Sequence, residues 1–420
     1  MKVLGVADSD SYVKWGSAML DRMPAEWDRS LAIIRTPALP SATQIEASLH
    51  GTSFTRVPIV DLADLAALVA KERPDVVVLS VRGPVVRVLV RMIAVMPQRP
   101  VIVSGLPGIS IPETLHALYF RSQVDLMVLH SKREIEAFSA LAERLGITQE
   151  FGLATLPYLP TRRAGLPNGD DIVFAAQAKV PKLESERRRV LGWLVETARR
   201  HPERRVVLKL RGIAGEAQTH AEKYPLDTLL ATIPDLPSNL VVSTGSMRDH
   251  LDEAAALVTV SSTAAIEAIS LGVPALLIDD FGVRGALINT VFEGSGLFGD
   301  SNELMEGYFK SPNESWLDEN YFHAPSDETW IDAIEGAVAR MQLSGIPLRP
   351  QFRGSLGGNL RRIWDRKQAL GPYDKSVGGY VALAVGVPMR GAIRSARTLR
   401  ARARRRSREE EPELLTITNL

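Results

Sequence analysis

Cysteine is absent from the 420-residue sequence. That excludes disulfides, thiolate metal sites and cysteine nucleophiles. Long apolar runs are absent too, since no stretch approaches the roughly 20 residues of a membrane-spanning helix. The run after Lys2 stops at Asp8, short of a signal-peptide core. A cytoplasmic protein is therefore expected. Net charge is almost absent at +1, yet nine arginines fall between Arg390 and Arg408, so the rest of the chain is acidic on balance. The remaining composition, 45% apolar and 24% charged, is that of an ordinary folded protein. A single core stops growing at roughly 250–300 residues, so two domains and a tail are expected.

Residues 2–7, 30–34, 57–60, 75–81, 100–104 and 124–129 read as strands. Residues 15–23, 62–71, 85–96, 114–121 and 132–145 read as helices, with apolar positions at helical spacing. A near-continuous run such as DVVVLSV belongs to a parallel sheet buried on both faces. The alternation argues for a doubly wound α/β domain over 1–165. Residues 37–55 read as a polar, turn-rich excursion. A linker rich in proline, glycine and arginine follows. Strands at 172–176, 205–210, 240–243, 257–260 and 275–278 then define a second domain over 169–345. The helix at 330–341 and one within 351–368 are candidates to cross back, 346–371 is expected to hold helices packing back on the domains, and 372–420 is expected to be a basic, partly disordered tail.

The stretch LVTVSSTAAIEAISLGVPALLIDDFG, residues 257–282, is the most informative. It reads strand, tight loop, helix, strand. Gly272 stands where a C-cap is expected, and Pro274 forbids continuation. Ser261, Ser262 and Thr263 place small side chains where the helix begins. A helix N-terminus has unpaired N–H groups and partial positive charge, so an anion can bind there. The same residues fit a plain N-cap, with Glu267 an ordinary first-turn acid. Spacing alone leaves both readings open.

Other candidates follow the strands' carboxyl ends, where open α/β sheets bind ligands. After the first strand come Asp8, Asp10, Ser11 and Lys14. Asp8 and Asp10 have Asp-x-Asp spacing, but at the first strand rather than in mid-chain, so no metal site is expected. Asp10 reads as a base or as a helix cap. Gly105 and Gly108, with two prolines, fix the loop before Glu113, and backbone can approach a substrate closely at glycine. A ligand-free tight turn is the alternative. His130 ends the sixth strand, as a ligand contact or a structural histidine. In the second domain, Gln177 and Lys179 follow one strand, and Lys209 and Arg211 end the next. Such a basic pair suits an anion. Gly245, Ser246 and Met247 form a further turn. Asp279 and Asp280 read as acceptors for sugar hydroxyls or as solvated acids. The G-x-G-x-x-G pattern at 294–299 follows a helical segment rather than a strand and reads as chance.

The loop Ser-Ser-Thr-Ala-Ala-Ile-Glu-Ala, followed by Leu-Gly-Val-Pro and a strand, resembles the donor-nucleotide loop of GT-B glycosyltransferases. It is most similar to capsule, polysialic-acid and teichoic-acid-type polymer transferases. The likeness covers one βαβ unit well and the rest by architecture. It implies two Rossmann-like doubly wound α/β domains facing a cleft, with a basic C-terminal helical tail. It implies sugar transfer from a nucleotide-activated donor to an acceptor hydroxyl, in cell-envelope polysaccharide or glycolipid synthesis. The nucleotide-sugar is then the substrate, and no cofactor or metal is expected. Donor contacts are expected from Ser261, Ser262, Thr263, Ala264 and Glu267, with Gln177, Lys179, Lys209 and Arg211. Gly245, Ser246 and Met247 resemble the turn bordering the nucleotide base. A glycan or lipid-linked acceptor is expected against Asp8, Ser11, Lys14, Gly105, Gly108 and His130, with Asp10 or Glu113 as base. The chain departs from the pattern at Arg211-Gly212, where His-Pro is usual. Alternatives are a sugar-nucleotide epimerase or hydrolase of the same fold, and a non-catalytic membrane-docked protein. The epimerases resembled carry a Ser-Gly-Gly variant, and this loop lacks those glycines.

In the tail, Val381, Val385, Ile393 and Leu399 alternate with Arg394, Arg397 and Arg400. This pattern suits an anionic membrane surface, so peripheral association at the inner face of the plasma membrane is expected. A nucleic-acid arm and a solvated tail compete with it. No aromatic follows Tyr380 for base stacking, so no nucleic-acid partner is expected.

Overall fold

The computed structural model describes residues 1–159, 169–178, 180–210, 223–351 and 358–384. The first half alternates strands and helices in chain order. These are β1 (Lys2–Ala7), α1 (Asp10–Asp21), β2 (Asp28–Ile34), α2 (Ala42–Leu49), β3 (Ile59–Val60), α3 (Leu62–Glu72) and β4 (Val76–Ser80). They continue with α4 (Gly83–Ala94), β5 (Val101–Gly105), α5 (Leu115–Arg121), β6 (Leu126–Leu129), α6 (Lys132–Leu145) and β7 (Phe151–Leu153). All seven strands are parallel, in the order β3-β2-β1-β4-β5-β6-β7.

The second half repeats the plan. It runs β8 (Asp171–Ala175), α7 (Glu184–Arg200), β9 (Val206–Lys209), α8 (Leu226–Leu230), β10 (Leu240–Ser243), α9 (Met247–Asp252) and β11 (Ala254–Thr259). Then come α10 (Ala264–Ser270), β12 (Ala275–Ile278), β13 (Phe298–Gly299), α11 (Ser301–Met305) and α12 (Glu314–Glu319). Its parallel sheet has the order β10-β9-β8-β11-β12-β13. Two further helices, α13 (Trp330–Ser344) and α14 (Gly358–Leu370), follow, and residues 377–384 are helical as well.

The central strands are buried along their full length, as helices on both faces require. One face of the first sheet packs on α1 and α13. The other packs on α3, α4, α6 and α14. The second sheet lies between α7 with α8 on one face and α9, α10 and α12 on the other.

Four expectations change. Helix α1 begins at Asp10 rather than 15, because Ser9 is extended at the N-cap position and its carbonyl accepts from Val13 N–H at 2.7 Å. The excursion at 37–55 contains α2, opened by a capping box in which Ser41 and Gln44 satisfy each other's backbone N–H. Strand β7 was not anticipated, being only 3 residues long. Finally, α13 leaves the second domain and packs against β5, β6 and β7. The return to the first domain therefore begins near Glu328, ahead of the expected boundary at 345. Among the described residues no helix is long and apolar enough to cross a membrane.

Candidate active site

Each sheet reverses its winding direction once, between β1 and β4 and between β8 and β11. Crevices at these points are the usual ligand sites of doubly wound folds. Both are bridged by side chains. In the first domain Asp8 is fully buried and pairs with Arg82, with Arg82 Nε donating to Oδ2 at 2.8 Å and the Arg82 backbone N–H to Oδ1 at 3.1 Å. Burial raises the Asp8 carboxyl, and Arg82 opposes that shift. In the second domain the Gln177 carboxamide oxygen accepts from Ser261 N–H at 3.1 Å and Ser261 Oγ at 3.0 Å.

The Ser261 loop is held internally. Ser262 N–H donates to Thr259 Oγ1 at 3.2 Å, and Thr259 Oγ1 donates to the Ala175 carbonyl at 2.9 Å. Ser262 Oγ accepts from Ala264 N–H at 3.2 Å, so it does cap the short helix α10. Thr263 is exposed at the helix start, and its side chain makes no capping bond. Gln177 is itself positioned by Arg187. The buried Arg187 guanidinium donates to the carbonyls of Gln177 at 3.0 Å, Ala178 at 2.6 Å, Pro181 at 3.0 Å and Tyr224 at 2.9 Å.

Glu267 lies one turn into α10 and is half-buried. Burial raises its carboxyl, and the positive charges of Lys14, Lys209 and Arg248 pull it back down. These three cations come from α1, the end of β9 and α9. Lys14 thus reaches across from the first domain. Its Nζ also sits 4.7 Å above the Tyr158 ring. Burial raises the Tyr158 phenol, and the negative charges of Glu267 and Glu134 add to the shift. Lys209 is buried, with Nζ donating to the Leu210 carbonyl at 2.9 Å. The result is one half-buried carboxylate within electrostatic reach of cations from both domains, of which Arg248 is paired with Asp252 at 3.2 Å and Lys14 sits over the Tyr158 ring.

The remaining expected residues divide. Ser246 caps α9, accepting from Arg248 N–H at 3.2 Å, and Gly245 takes a left-handed φ of +98°. Met247 packs on the second-domain core. Asp10 stands in the first turn of α1, with Ser11 Oγ donating to it at 3.3 Å. Glu113 faces Arg144 at 3.6 Å. Gly108 adopts φ +133°, and a Cβ there would meet the Tyr158 hydroxyl at 3.2 Å. Ile111, in the same loop, joins the second-domain core. Lys179, Arg211 and the arginines between Arg390 and Arg408 lie outside the described residues.

Three acceptor-side expectations are corrected. Asp8 is closed off by Arg82. Gly105 is a packing glycine, because a Cβ would fall 2.5 Å from Trp15 Cζ2 and 2.9 Å from the Val128 carbonyl. His130 is fully buried, its Nε2 accepting from Trp15 Nε1 at 2.7 Å and its Nδ1 donating to the Ala154 carbonyl at 2.8 Å. Both ring nitrogens are thereby spent, which also fixes the tautomer. Of the second-domain acids, Asp280 caps α11 from outside, accepting from Ser301 N–H and Oγ, both at 2.8 Å.

Sequence reasoning passed over Tyr158, Arg187, Arg248 and Glu134. Tyr158 stands between two prolines at the domain junction. Arg187 lies on the apolar face of α7, in line with Leu191 and Leu194, a position where a charge calls for a partner. Glu134 gave no such signal, since two of its partners, Ser110 and Tyr321, come from distant segments. It is fully buried, accepting from Ser110 N–H at 2.8 Å, His130 N–H at 2.8 Å and the Tyr321 hydroxyl at 2.7 Å. Tyr321 belongs to the second-domain core, so Glu134 joins the two domains.

No curated protein matches the chain in sequence. Among solved structures, the fold is similar to UDP-GlcNAc 2-epimerase from Neisseria meningitidis bound to UDP-GlcNAc, at 11% identity and a TM-score of 0.52, over 81% of this chain and all of that one. It is similar also to UDP-GlcNAc 2-epimerase from Methanocaldococcus jannaschii, at 12% identity and a TM-score of 0.52, over 80% of this chain and 99% of that one. At such identity the likeness establishes the fold, two facing Rossmann-like domains of GT-B type. Residues 3–337 match the family model described as "Putative glycosyltransferase (DUF6716)". By that match, over most of its length, the chain belongs to the DUF6716 family of glycosyltransferases.

Proposed function

We propose that the second domain binds a nucleotide-activated sugar at the Gln177–Ser261 crevice and that the first domain presents a glycan or lipid-linked acceptor hydroxyl. The Gln177–Ser261 bridge across the winding reversal carries this reading, with Lys14, Lys209 and Arg248 close enough to Glu267 to act on its charge. A nucleoside diphosphate leaving group gains negative charge as the anomeric C–O bond breaks. Pre-placed cations stabilise that charge most where water is excluded. The cations come from both domains, so the charge-stabilising set is complete only across the cleft. Glu267 is suited to accept hydrogen bonds from donor hydroxyls. The acceptor oxygen forms the new bond to the anomeric carbon and gives its proton to a base, for which Asp10 is the first candidate and Glu113 the second.

The same cations make metal-independent transfer the favoured mechanism. Asp8 and Asp10 do not form a ligand pair, since Asp8 is held by Arg82. The basic sequence between Arg390 and Arg408 supports a peripheral site of action at the inner membrane face, in cell-envelope synthesis.

The test is calorimetry with a panel of nucleoside diphosphates and their sugars. Binding should be abolished in the double variant Ser262→Asp/Thr263→Asp, and unchanged affinity in that variant would sink the proposal. Incubating a bound nucleotide-sugar without acceptor separates the two reactions of this fold. A transferase leaves the sugar's stereochemistry unchanged, whereas turnover to an epimer would replace transfer by epimerisation.

A further inference from the structure

Helix α4 packs against α5 and α14, on the side of the first sheet opposite α1. Arg87 and Arg91 stand one turn apart on α4 and so share a face. Arg87 is only 7% exposed. Its guanidinium lies 4.6 Å over the Tyr119 ring, and its Nη1 donates to the Tyr119 hydroxyl. Its Nη2 is buried and has no partner. Arg91 donates through Nη2 to Gln351 Oε1 at 3.2 Å, which leaves Gln351 Nε2 buried and also without a partner.

Both unpartnered atoms are donors, and the surroundings supply more of the same. Burial lowers the Arg91 guanidinium's affinity for its proton, and repulsion from Arg87 and Arg362 adds to this. Asp365 is the acid that opposes it, and Asp365 is already paired with Arg361 at 3.1 Å. Among the described residues, Arg87, Arg91 and Arg362 form no ion pair. Buried polar atoms are nearly always paired, so two orphaned donors beside a cluster of unneutralised guanidinium groups need an explanation. A missing acceptor with several negative oxygens supplies one. Arginine forks match the oxygen spacing of phosphate and can bind it through two parallel bonds.

We propose that the arginine cluster where α4 meets α5 and α14 binds a phosphate-type oxyanion through Arg87, Arg91 and Gln351, with Arg362 of α14 adding positive charge. It is distinct from the donor crevice, which lies at the carboxyl edge of the second sheet. The oxyanion has two chemical sources, a free phosphate group and a phospholipid headgroup. The neighbouring surface exposes apolar side chains, including Leu360 at 47% and Val377 at 80%. Gly378 lies against Ile363 of α14, which places the helical residues 377–384 against α14.

The experiment uses the full chain. Thermal unfolding is followed in sodium phosphate and in sodium chloride at matched ionic strength. Phosphate should raise the midpoint by several degrees, as a ligand of the native state does. Arg91→Gln and Arg362→Gln should each weaken the apparent phosphate affinity about tenfold or more, while Lys209→Gln, in the donor crevice, should retain the effect. Arg362 is exposed, so its variant tests the site without a buried substitution. Sedimentation with phosphatidylglycerol–phosphatidylcholine vesicles, against phosphatidylcholine alone, identifies the source. Vesicle binding weakened by Arg91→Gln assigns a lipid headgroup. Vesicle binding unaffected by Arg91→Gln, with the phosphate effect still lost in that variant, assigns a free phosphate. No phosphate-specific rise in the wild type, or a rise kept in both arginine variants, overturns the proposal.

Discussion

The carboxamide oxygen of Gln177 takes two hydrogen bonds from Ser261, one from the backbone N–H and one from the hydroxyl. The two residues are 84 positions apart and close the winding-reversal crevice of the second sheet. Replacing Gln177 by Leu removes the acceptor while keeping similar bulk. Each lost bond costs about 1 kcal/mol. Nucleoside diphosphate affinity should fall about tenfold or more by calorimetry, with circular dichroism unchanged. An unaltered affinity would show that the loop's geometry does not depend on this bridge.

Glu267 carries a burial cost that its cationic neighbours offset only in part. Its native carboxyl titrates above the ordinary range, so the charged form weakens the fold above that native value. Glu267→Gln should therefore raise the melting temperature by roughly 2 °C at pH 7. The gap should close as pH falls toward the unfolded carboxyl value of about 4.3, where both states of the wild type take up the proton. Activity should fall in the same variant. Stabilisation joined to loss of turnover is the pattern of a residue kept for function.

Tyr321 ties the second domain to Glu134 of the first. Tyr321→Phe keeps the ring and removes the donor, leaving a buried carboxylate short of one bond. The expected cost is about 1–3 kcal/mol. Denaturant unfolding monitored separately in each domain should show the two transitions drawing apart, and coincident transitions would argue against an interdomain tie.

Gly105 ends β5 and Gly108 lies in the loop that follows, and the two should respond differently. An added methyl at Gly105 would overlap Trp15 and the Val128 carbonyl. Gly105→Ala should cost about 1–3 kcal/mol through overpacking of the core. Gly108→Ala strains the backbone at φ +133° and moves toward the Tyr158 hydroxyl, so it should disturb the cleft as well as the fold. Comparing melting temperature with steady-state turnover separates them: turnover lost in proportion to stability for Gly105, and beyond it for Gly108.

Much of the architecture was legible in the chain. Runs such as Val76–Ser80 could only be central parallel strands, and Gly146 marked the end of α6 at φ +64°. Short or polar elements were not legible. Strand β7 holds 3 residues, and α2 has too few apolar positions for periodicity to show it, although its Ser41–Gln44 capping box was a usable signal. His130 illustrates an ambiguity that spacing leaves open. Its place at a strand end fits a ligand contact or a structural histidine, and Trp15, 115 positions away, makes it a core residue.

By itself the sequence determined the two-domain parallel plan and the small-residue loop at Ser261, Ser262 and Thr263. Both follow from local chemistry, namely apolar runs, caps and glycine stops acting within a few residues. Tertiary structure alone decided which charges meet. Lys14 stands 253 positions from Glu267, and nothing in either neighbourhood announces the other. Charges act through space, so the winding of the two sheets brought Lys14, Lys209 and Arg248 within electrostatic reach of Glu267. The same packing spent Asp8 on Arg82 and His130 on Trp15, which no reading of spacing could distinguish from a pair of ligand contacts.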